Sequence, residues 1–370
     1  MSSKRQTTRR DFLKGRAAVH AMEDMAEGVL PDPVSPLQAP RPTGSFLVQV
    51  TRRAMAANFQ VFVSGKRHPH GPDAAMKALD LIERIEDQLT VYRKHSDIIR
   101  INRRAGREPV RVETRLFALL EHAQRLYRQT EGAFDITSGP LSKVWGFFWR
   151  KSQFPDPEAL EQAFSRVGGK WIELDRPHQT IRFLKPDLEI NLNAMGKGYA
   201  LDRCSEQLAA AGVTDYLMHG GKSSVLARGN RAESAEAGEG WSVALRHPLR
   251  PKQRLAEIRL RDRALGTSGS MTQFLHHRGR RYGHVLDPRT GWPAEGILSA
   301  TAIAPLAAEA DALSTAFYVM GLEATREYCR RYPDVSALLT CPGPRRGSVQ
   351  VHPIGLDESD WQLWETEPSG

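Results

Sequence analysis

The sequence predicts an α+β fold, mixed sheets with packed helices, forming one catalytic unit that is either undivided or built of two subdomains. Three observations carry this prediction. From about residue 45 onward, short runs rich in β-branched and aromatic residues alternate with amphipathic runs of helical period. No Gly-x-Gly-x-x-Gly follows an early strand, so nothing supports a doubly wound dinucleotide fold. No internal repeat or linker interrupts the alternation.

The elements follow in order. Residues 46–50 (FLVQV) and Asn58–Val63 (NFQVFV) read as strands. Residues 73–92 place Ala75, Leu79, Ile82, Ile85 and Leu89 at three- and four-residue spacing, the stripe of an amphipathic helix. Leu116, Leu119, Leu120, Ala123 and Leu126 repeat that stripe over 115–129. Segments near 171–183 and 187–192 read as strands, and Gly198–Ala211 as a helix stopped by Gly212. Strands are expected at 216–218 and 223–227, a polar loop at 229–240, and strands at 241–246 and 255–260. A Gly-rich segment from Leu265 precedes a strand at 299–304, helices at 308–320 and 323–331, and strands at 337–340 and 349–351.

Composition narrows the function classes. The 370 residues carry 52 Lys and Arg against 43 Asp and Glu, a net +9, with 40% hydrophobic and 26% charged residues. That balance excludes a wholly disordered chain, a fibrous repeat and a polytopic membrane protein. No apolar run reaches 18 residues, so no transmembrane segment is expected. The charge is concentrated: Lys4, Arg5, Arg9, Arg10, Lys14 and Arg16 against Asp11 give residues 1–16 a net +5. Nucleic acid is therefore not needed to explain it, and the basic run His276–Arg281 reads as a solvated loop without a stacking motif.

The basic tail, residues 1–22, contains Thr8-Arg9-Arg10-Asp11-Phe12-Leu13-Lys14, which resembles a twin-arginine export motif. Its apolar stretch is short, because Glu23, Asp24 and Glu27 interrupt it. Two destinations stay open: extracytoplasmic if the tail exports the chain, cytoplasmic if it is only a basic arm. Prolines at 31, 33, 36, 40 and 42 make residues 23–44 an extended linker. The catalytic unit is expected over 45–355, with a loose acidic tail over 356–370. Cys204, Cys329 and Cys341 form no CxxC pair, which argues against a disulfide framework or a zinc ribbon.

Several clusters have a direct chemical reading. Gly196-Lys197-Gly198 stands at a helix start, where free N–H groups favour an anion and Lys197 adds a point charge; a plain strand-to-helix turn with a surface lysine is the alternative. Asp311 and Thr315, four apart on a helix, present a carboxylate and a hydroxyl that suit a hard cation such as Mg²⁺; a capping aspartate and a core threonine are the commoner explanation of such a pair. His284, before a tight Asp-Pro turn, is a candidate base, phosphate contact or structural hydrogen-bonder.

Taken together, the segments GAFDITSGPLSKVWGF, NLNAMGKGYALDR, GTSG, HVLDPRTGWPAEG and ADALSTAFYVMG resemble the ApbE family of FAD:protein FMN transferases in order and spacing. The resemblance covers about residues 45–355 and implies an ApbE-like, T-fold-related architecture. It implies Mg²⁺-dependent cleavage of FAD, a substrate rather than a resident cofactor, with transfer of FMN to a Thr or Ser hydroxyl of an acceptor protein and release of AMP. It places the metal on Asp311, Thr315 and the backbone carbonyl of Ala194. Ser314 stands where some members have a second aspartate. Flavin contacts would fall on Met55, Tyr92, Ala133, Phe134, Asp135, Lys197 and the His284–Leu286 stretch. Asn191, near the adenosine side, replaces a common aspartate. His284 is the candidate catalytic base, with Asp311 the competing assignment. The other readings are an FAD-binding protein without transfer, or an FAD pyrophosphatase.

Overall fold

Two consecutive residues in left-handed backbone, Met55 (φ 51°) and Ala56 (φ 54°), turn the first hairpin, between β1 (Leu47–Ala54) and β2 (Ala57–Ser64). Such tight turns match the strand twist but favour Asn and Gly, so this pair holds a costly conformation. The backbone N–H of Met55 donates to Glu86 Oε2 at 2.8 Å, which anchors the turn to the helix behind it.

The computed structural model describes residues 47–231, 240–269 and 273–364. The twin-arginine-like tail, the Pro-rich linker, most of the polar loop at 229–240 and residues 365–370 lie outside the described residues. After the hairpin come α1 (Gly71–Leu89), α2 (Asp97–Arg104), β3 (Val110–Arg111), α3 (Thr114–Gln129), α4 (Gly139–Val144) and α5 (Pro157–Ser165). Next are β4 (Ile172–Asp175), β5 (Thr180–Phe183), α6 (Gly196–Ala210), β6 (Tyr216–Gly220) and β7 (Ser224–Arg228). Then follow β8 (Trp241–His247), β9 (Arg250–Leu260), β10 (Ala264–Gly269), β11 (Phe274–His277) and β12 (Arg280–Gly283). Last come β13 (Ser299–Ala304), α7 (Ala307–Arg331), β14 (Ser336–Pro342), β15 (Val349–Ile354) and β16 (Trp361–Leu363).

Eight strands form the central sheet in the order β1-β2-β6-β7-β10-β13-β14-β15, every neighbour antiparallel. Its side chains alternate between two cores. Leu226, Ala264, Ala302, Ala304 and Leu339 face α1, α6 and α7. Val225, Ala227, Leu265, Ile303 and Leu338 face Trp241, Ala256, Ile258 and Leu260 of the three-stranded sheet β16-β9-β8. β7 supplies both cores, so the two are opposite faces of one sheet.

The predicted helices and most strands are present. Gly321 (φ 80°, ψ −175°) breaks α7, which explains why two helices were expected there. The differences have physical reasons. Residues 187–192 join no ladder: Asp187 sits in a turn with φ 61°, and Asn191 N–H donates to Ile136 O at 2.7 Å. The Gly-rich segment from Leu265 is β10, a central strand in which glycine admits a close neighbour. The expected solvated loop at 276–281 lies in the β11–β12 hairpin. Ordered structure runs past 355, because Trp361–Leu363 of the expected loose tail pairs with β9 in the three-stranded sheet. Helices α2, α4 and α5 are short; α2 starts from the Ser96 cap, α5 from the Asp156 cap, and α4 from Pro140 in its first turn, rather than from a long stripe. Among the described residues no helix is long and apolar enough to cross a membrane.

Candidate active site

The site is built where the N-termini of α6 and α7 meet the end of β10. Two glycines permit it. A Cβ at Gly198 would lie 2.1 Å from the carbonyl oxygen of Ala307, and one at Gly266 would lie 2.4 Å from that of Ala310. Only bare backbone lets α6 and β10 touch the first turns of α7. Asp202, one turn into α6, then accepts from the N–H groups of Ala307 (2.8 Å) and Ala308 (2.9 Å), capping α7 across the helix pair. Burial raises the Asp202 carboxyl to about 7, against the lowering effect of those two bonds.

Asp311 lies buried at this junction. Its Oδ2 accepts from the Gly198 N–H at 2.8 Å and from Ser224 Oγ at 2.9 Å. Burial raises its carboxyl to about 6, opposed mainly by the nearby charge of Lys197. The anion at this helix start is thus the protein's own carboxylate, and the Gly198 N–H is not left for a phosphate. Lys197 reaches the turn after β6, where its ammonium donates to Ser223 Oγ. Around the first turns of α7 the hydroxyls converge: Ser268 Oγ lies 2.9 Å from Ser314 Oγ and 3.1 Å from Thr315 Oγ1. Ser314 itself donates to the Asp311 carbonyl at 2.8 Å.

The donors here are a carboxylate, hydroxyls and backbone carbonyls, all hard oxygens. Among the described residues no group of three or more His, Cys, Asp or Glu could hold a metal. This set fits Mg²⁺, which keeps several waters and takes few protein carboxylates. Ala194 lies in the exposed turn directly before α6, four residues from the amide bound to Asp311.

His284 is held on a second wall. Its Nδ1 is 3.1 Å from the backbone carbonyl of Gln273, and its own N–H donates to the same oxygen at 3.3 Å. A carbonyl only accepts, so Nδ1 carries the proton and Nε2 presents a lone pair. Burial pushes the imidazole below the usual histidine value, which keeps it neutral. Gln273 is fixed in turn by its Nε2, 2.8 Å from Phe147 O. Leu286 forms an isolated bridge with Pro293, so this stretch is a closed loop.

The remaining expected contacts divide into two kinds. Tyr92 is 46% exposed, bonded to the Asn193 side chain and 5.0 Å from the Phe148 ring, so it joins the α6 turn to the wall that bears His284. Met55 stands at the hairpin turn beside Ala57, which crowds Gly221 next to Lys197. Ala133, Phe134 and Asp135 are buried. Asp135 accepts from Thr137 N (2.7 Å), Thr137 Oγ1 (2.6 Å) and Gly169 N (2.9 Å), so its carboxylate braces the loop. Burial still raises its carboxyl. Asn191 Oδ1 accepts from Asn193 N at 2.9 Å, holding the turn that carries Ala194.

Residues 54–339 match the ApbE family, well over half of the chain. The chain belongs to the ApbE family. It is 32% identical over 300 residues to the FAD:protein FMN transferase of Treponema pallidum (strain Nichols), covering 77% of this chain and 82% of that one. It is also 32% identical over 270 residues to the FAD:protein FMN transferase of Salmonella typhimurium (strain LT2), covering 70% and 76%. Among solved structures it resembles the ApbE protein of Thermotoga maritima, with TM-score 0.71, 27% identity and coverage of 82% and 96%. The flavin transferase ApbE of Vibrio cholerae gives TM-score 0.73, 25% identity and coverage of 84% and 97%.

Sequence reasoning missed Asp202, Ser224, Ser268 and Gln273. Asp202 lies inside a quoted motif, but an acid on the second turn of a helix reads as solvent-facing. The serines become visible only when β7 and β10 are laid against α7. Gln273 acts through its carbonyl, which leaves no mark on residue type.

Proposed function

We propose that this protein transfers the FMN half of FAD onto a Thr or Ser hydroxyl of an acceptor protein, releasing AMP, with Mg²⁺ required. The single observation that carries the reading is the set of carboxylate and hydroxyl oxygens gathered around Asp311, to which His284, with its Nδ1 turned to the Gln273 carbonyl, adds Nε2 as a proton acceptor. Asp311, Thr315 and the Ala194 carbonyl would hold Mg²⁺, which when bound neutralises charge on the pyrophosphate oxygens.

Each remaining part is supplied by the chain. Lys197 sets a fixed positive charge beside the phosphates, and Ser223 holds its ammonium in place. Tyr92 offers an exposed ring for the isoalloxazine. The acceptor hydroxyl gives its proton to His284 Nε2 while its oxygen attacks the flavin-side phosphorus. The bond from that phosphorus to the bridging oxygen breaks, and the electron pair leaves with AMP. His284 suits the base role better than Asp311 on physical grounds: Asp311 Oδ2 already accepts two hydrogen bonds, and a cation on Asp311 lowers its basicity further.

Incubation with FAD and Mg²⁺, with and without a threonine-bearing acceptor, tests the reading. AMP release accompanied by covalent flavin fluorescence on the acceptor is expected. AMP without bound flavin would instead indicate a pyrophosphatase, and no AMP a binding protein.

A further inference from the structure

The β11–β12 hairpin pairs with no other strand among the described residues, and a lone two-stranded ribbon is marginal in water. β12 nevertheless runs directly into His284, so the aim of that imidazole depends on what ties the ribbon to the body. Leu275, His277, Arg280 and Tyr282 share one face by the strand register. Toward the hairpin turn, the His277 ring stacks on Phe154 at 4.0 Å and Arg280 joins Glu295 at 2.6 Å. Nearer the site, Tyr282 lies 5.8 Å from Trp145.

The end that carries His284 is closed by a different device. The last ladder pair is Phe274 with Gly283, which leaves Gln273 and His284 opposite each other one residue beyond it. Three contacts then form a closed ring. The Gln273 carbonyl accepts from His284 Nδ1 at 3.1 Å. The Gln273 side-chain Nε2 donates to Phe147 O at 2.8 Å. The Phe147 ring meets the imidazole edge to face, with centroids 6.4 Å apart. Phe147 is a fixed post for this ring of contacts. It is buried, and its side chain lies parallel to that of Trp145, which is fully buried and donates to Gly291 O at 3.0 Å.

We propose that Gln273 is a positioning residue for His284: its side-chain amide, anchored on Phe147, holds its own carbonyl against Nδ1 and so keeps Nε2 the nitrogen without a proton. The inference rests on the transferase reading above, in which Nε2 takes the proton of the acceptor hydroxyl. In the opposite tautomer Nε2 already carries a hydrogen and cannot take another. Burial keeps this imidazole neutral, so the choice of tautomer decides whether Nε2 can act. The hydrogen bond at one ring nitrogen makes that choice. Without the amide anchor the carbonyl is free to shift, and both the tautomer and the aim of the ring vary with it. Small misplacements of a catalytic group are costly in rate.

One readout needs no reaction, so failure of this inference is separable from failure of the transferase reading. In protein labelled with ¹⁵N-histidine, the imidazole signal assigned by its absence in His284→Gln should show the proton on Nδ1 at pH 8. Gln273→Met keeps the length of the side chain and removes the donor. It should move that signal toward the Nε2–H tautomer. It should also lower kcat for FMN transfer by about tenfold to a hundredfold, with the KM for FAD within about twofold of wild type. In a His284→Gln background the same change should alter the rate by less than about twofold, because the group it positions is gone. Its melting temperature should fall by only about 2–4 °C, the scale of one lost hydrogen bond. Wild-type His284 protonated on Nε2 would overturn the assignment without any variant. So would an unchanged tautomer and kcat in Gln273→Met, or an equal loss of rate with His284 present and absent. Wild-type protein that releases no AMP would overturn the transferase reading, and the base role with it, whichever tautomer is found.

Discussion

Gly198 donates its backbone N–H to the carboxylate of Asp311 at 2.8 Å, across the contact between the starts of α6 and α7. This bond joins two segments that lie more than a hundred residues apart in the chain. It places the carboxylate of one helix on the positive end of the other, where the amide and the dipole favour its charged form.

The first prediction concerns the glycine. A methyl group at Gly198 meets the Ala307 carbonyl, which is backbone and cannot rotate away. Gly198→Ala should cost about 2–3 kcal/mol, read as a lowered denaturant midpoint. Gly196→Ala, whose nearest added contact is Leu89 Cδ1 at 3.7 Å, should stay within about 1 kcal/mol of wild type.

The second concerns Asp311. Its folded-state value, about 6, is above the 3.8 of a free aspartate, so the folded chain holds this proton more tightly. Stability therefore falls as pH rises from 3.8 to 6, and the penalty is complete above that range. Metal-free Asp311→Asn should melt about 2–4 °C higher than wild type at pH 7.5, a gain that shrinks as the pH is lowered toward 5. Adding Mg²⁺ should raise the wild-type melting temperature and leave the variant's unchanged, as differential scanning fluorimetry would show.

The third concerns His284. As a base it works when neutral, so activity is lost as pH falls through its folded-state value. Burial holds that value below 6.5, so kcat/KM should stay flat from pH 8 down past 6.5 before declining. His284→Gln should slow FMN transfer by about 10²–10⁴-fold with FAD affinity retained, measured by single-turnover flavin fluorescence. Full activity in this variant would return the base role to Asp311.

Much of this was legible in the residues, for identifiable reasons. The helical stripes of α1 and α3 survive because one face alone is buried, and period carries the signal. β10 was invisible because Gly266 is there to admit the Ala310 carbonyl, and glycine in a sequence reads as a loop. The hairpin at 276–281 was hidden by charge on its outer face. Asp311, Thr315, Lys197 and His284 carried only weak local signals, and their candidacy came from the order and spacing of several motifs together. Ser224, Ser268 and Asp202 gave no such signal, because their partners lie on other elements and no local pattern records a tertiary contact. That Asp135 braces its loop, through bonds from Thr137 and Gly169, was equally invisible, because Gly169 lies on another segment.

The most direct test of the central claim is the stoichiometry of a single reaction. The protein, FAD, Mg²⁺ and an acceptor would be mixed, with AMP followed by chromatography and the acceptor by intact-mass spectrometry. The acceptor should gain one FMN with loss of one water, on a Thr or Ser, with one AMP released per adduct and none without Mg²⁺. AMP accumulating with no mass change on any acceptor, or an adduct that retains the adenylate, would contradict it.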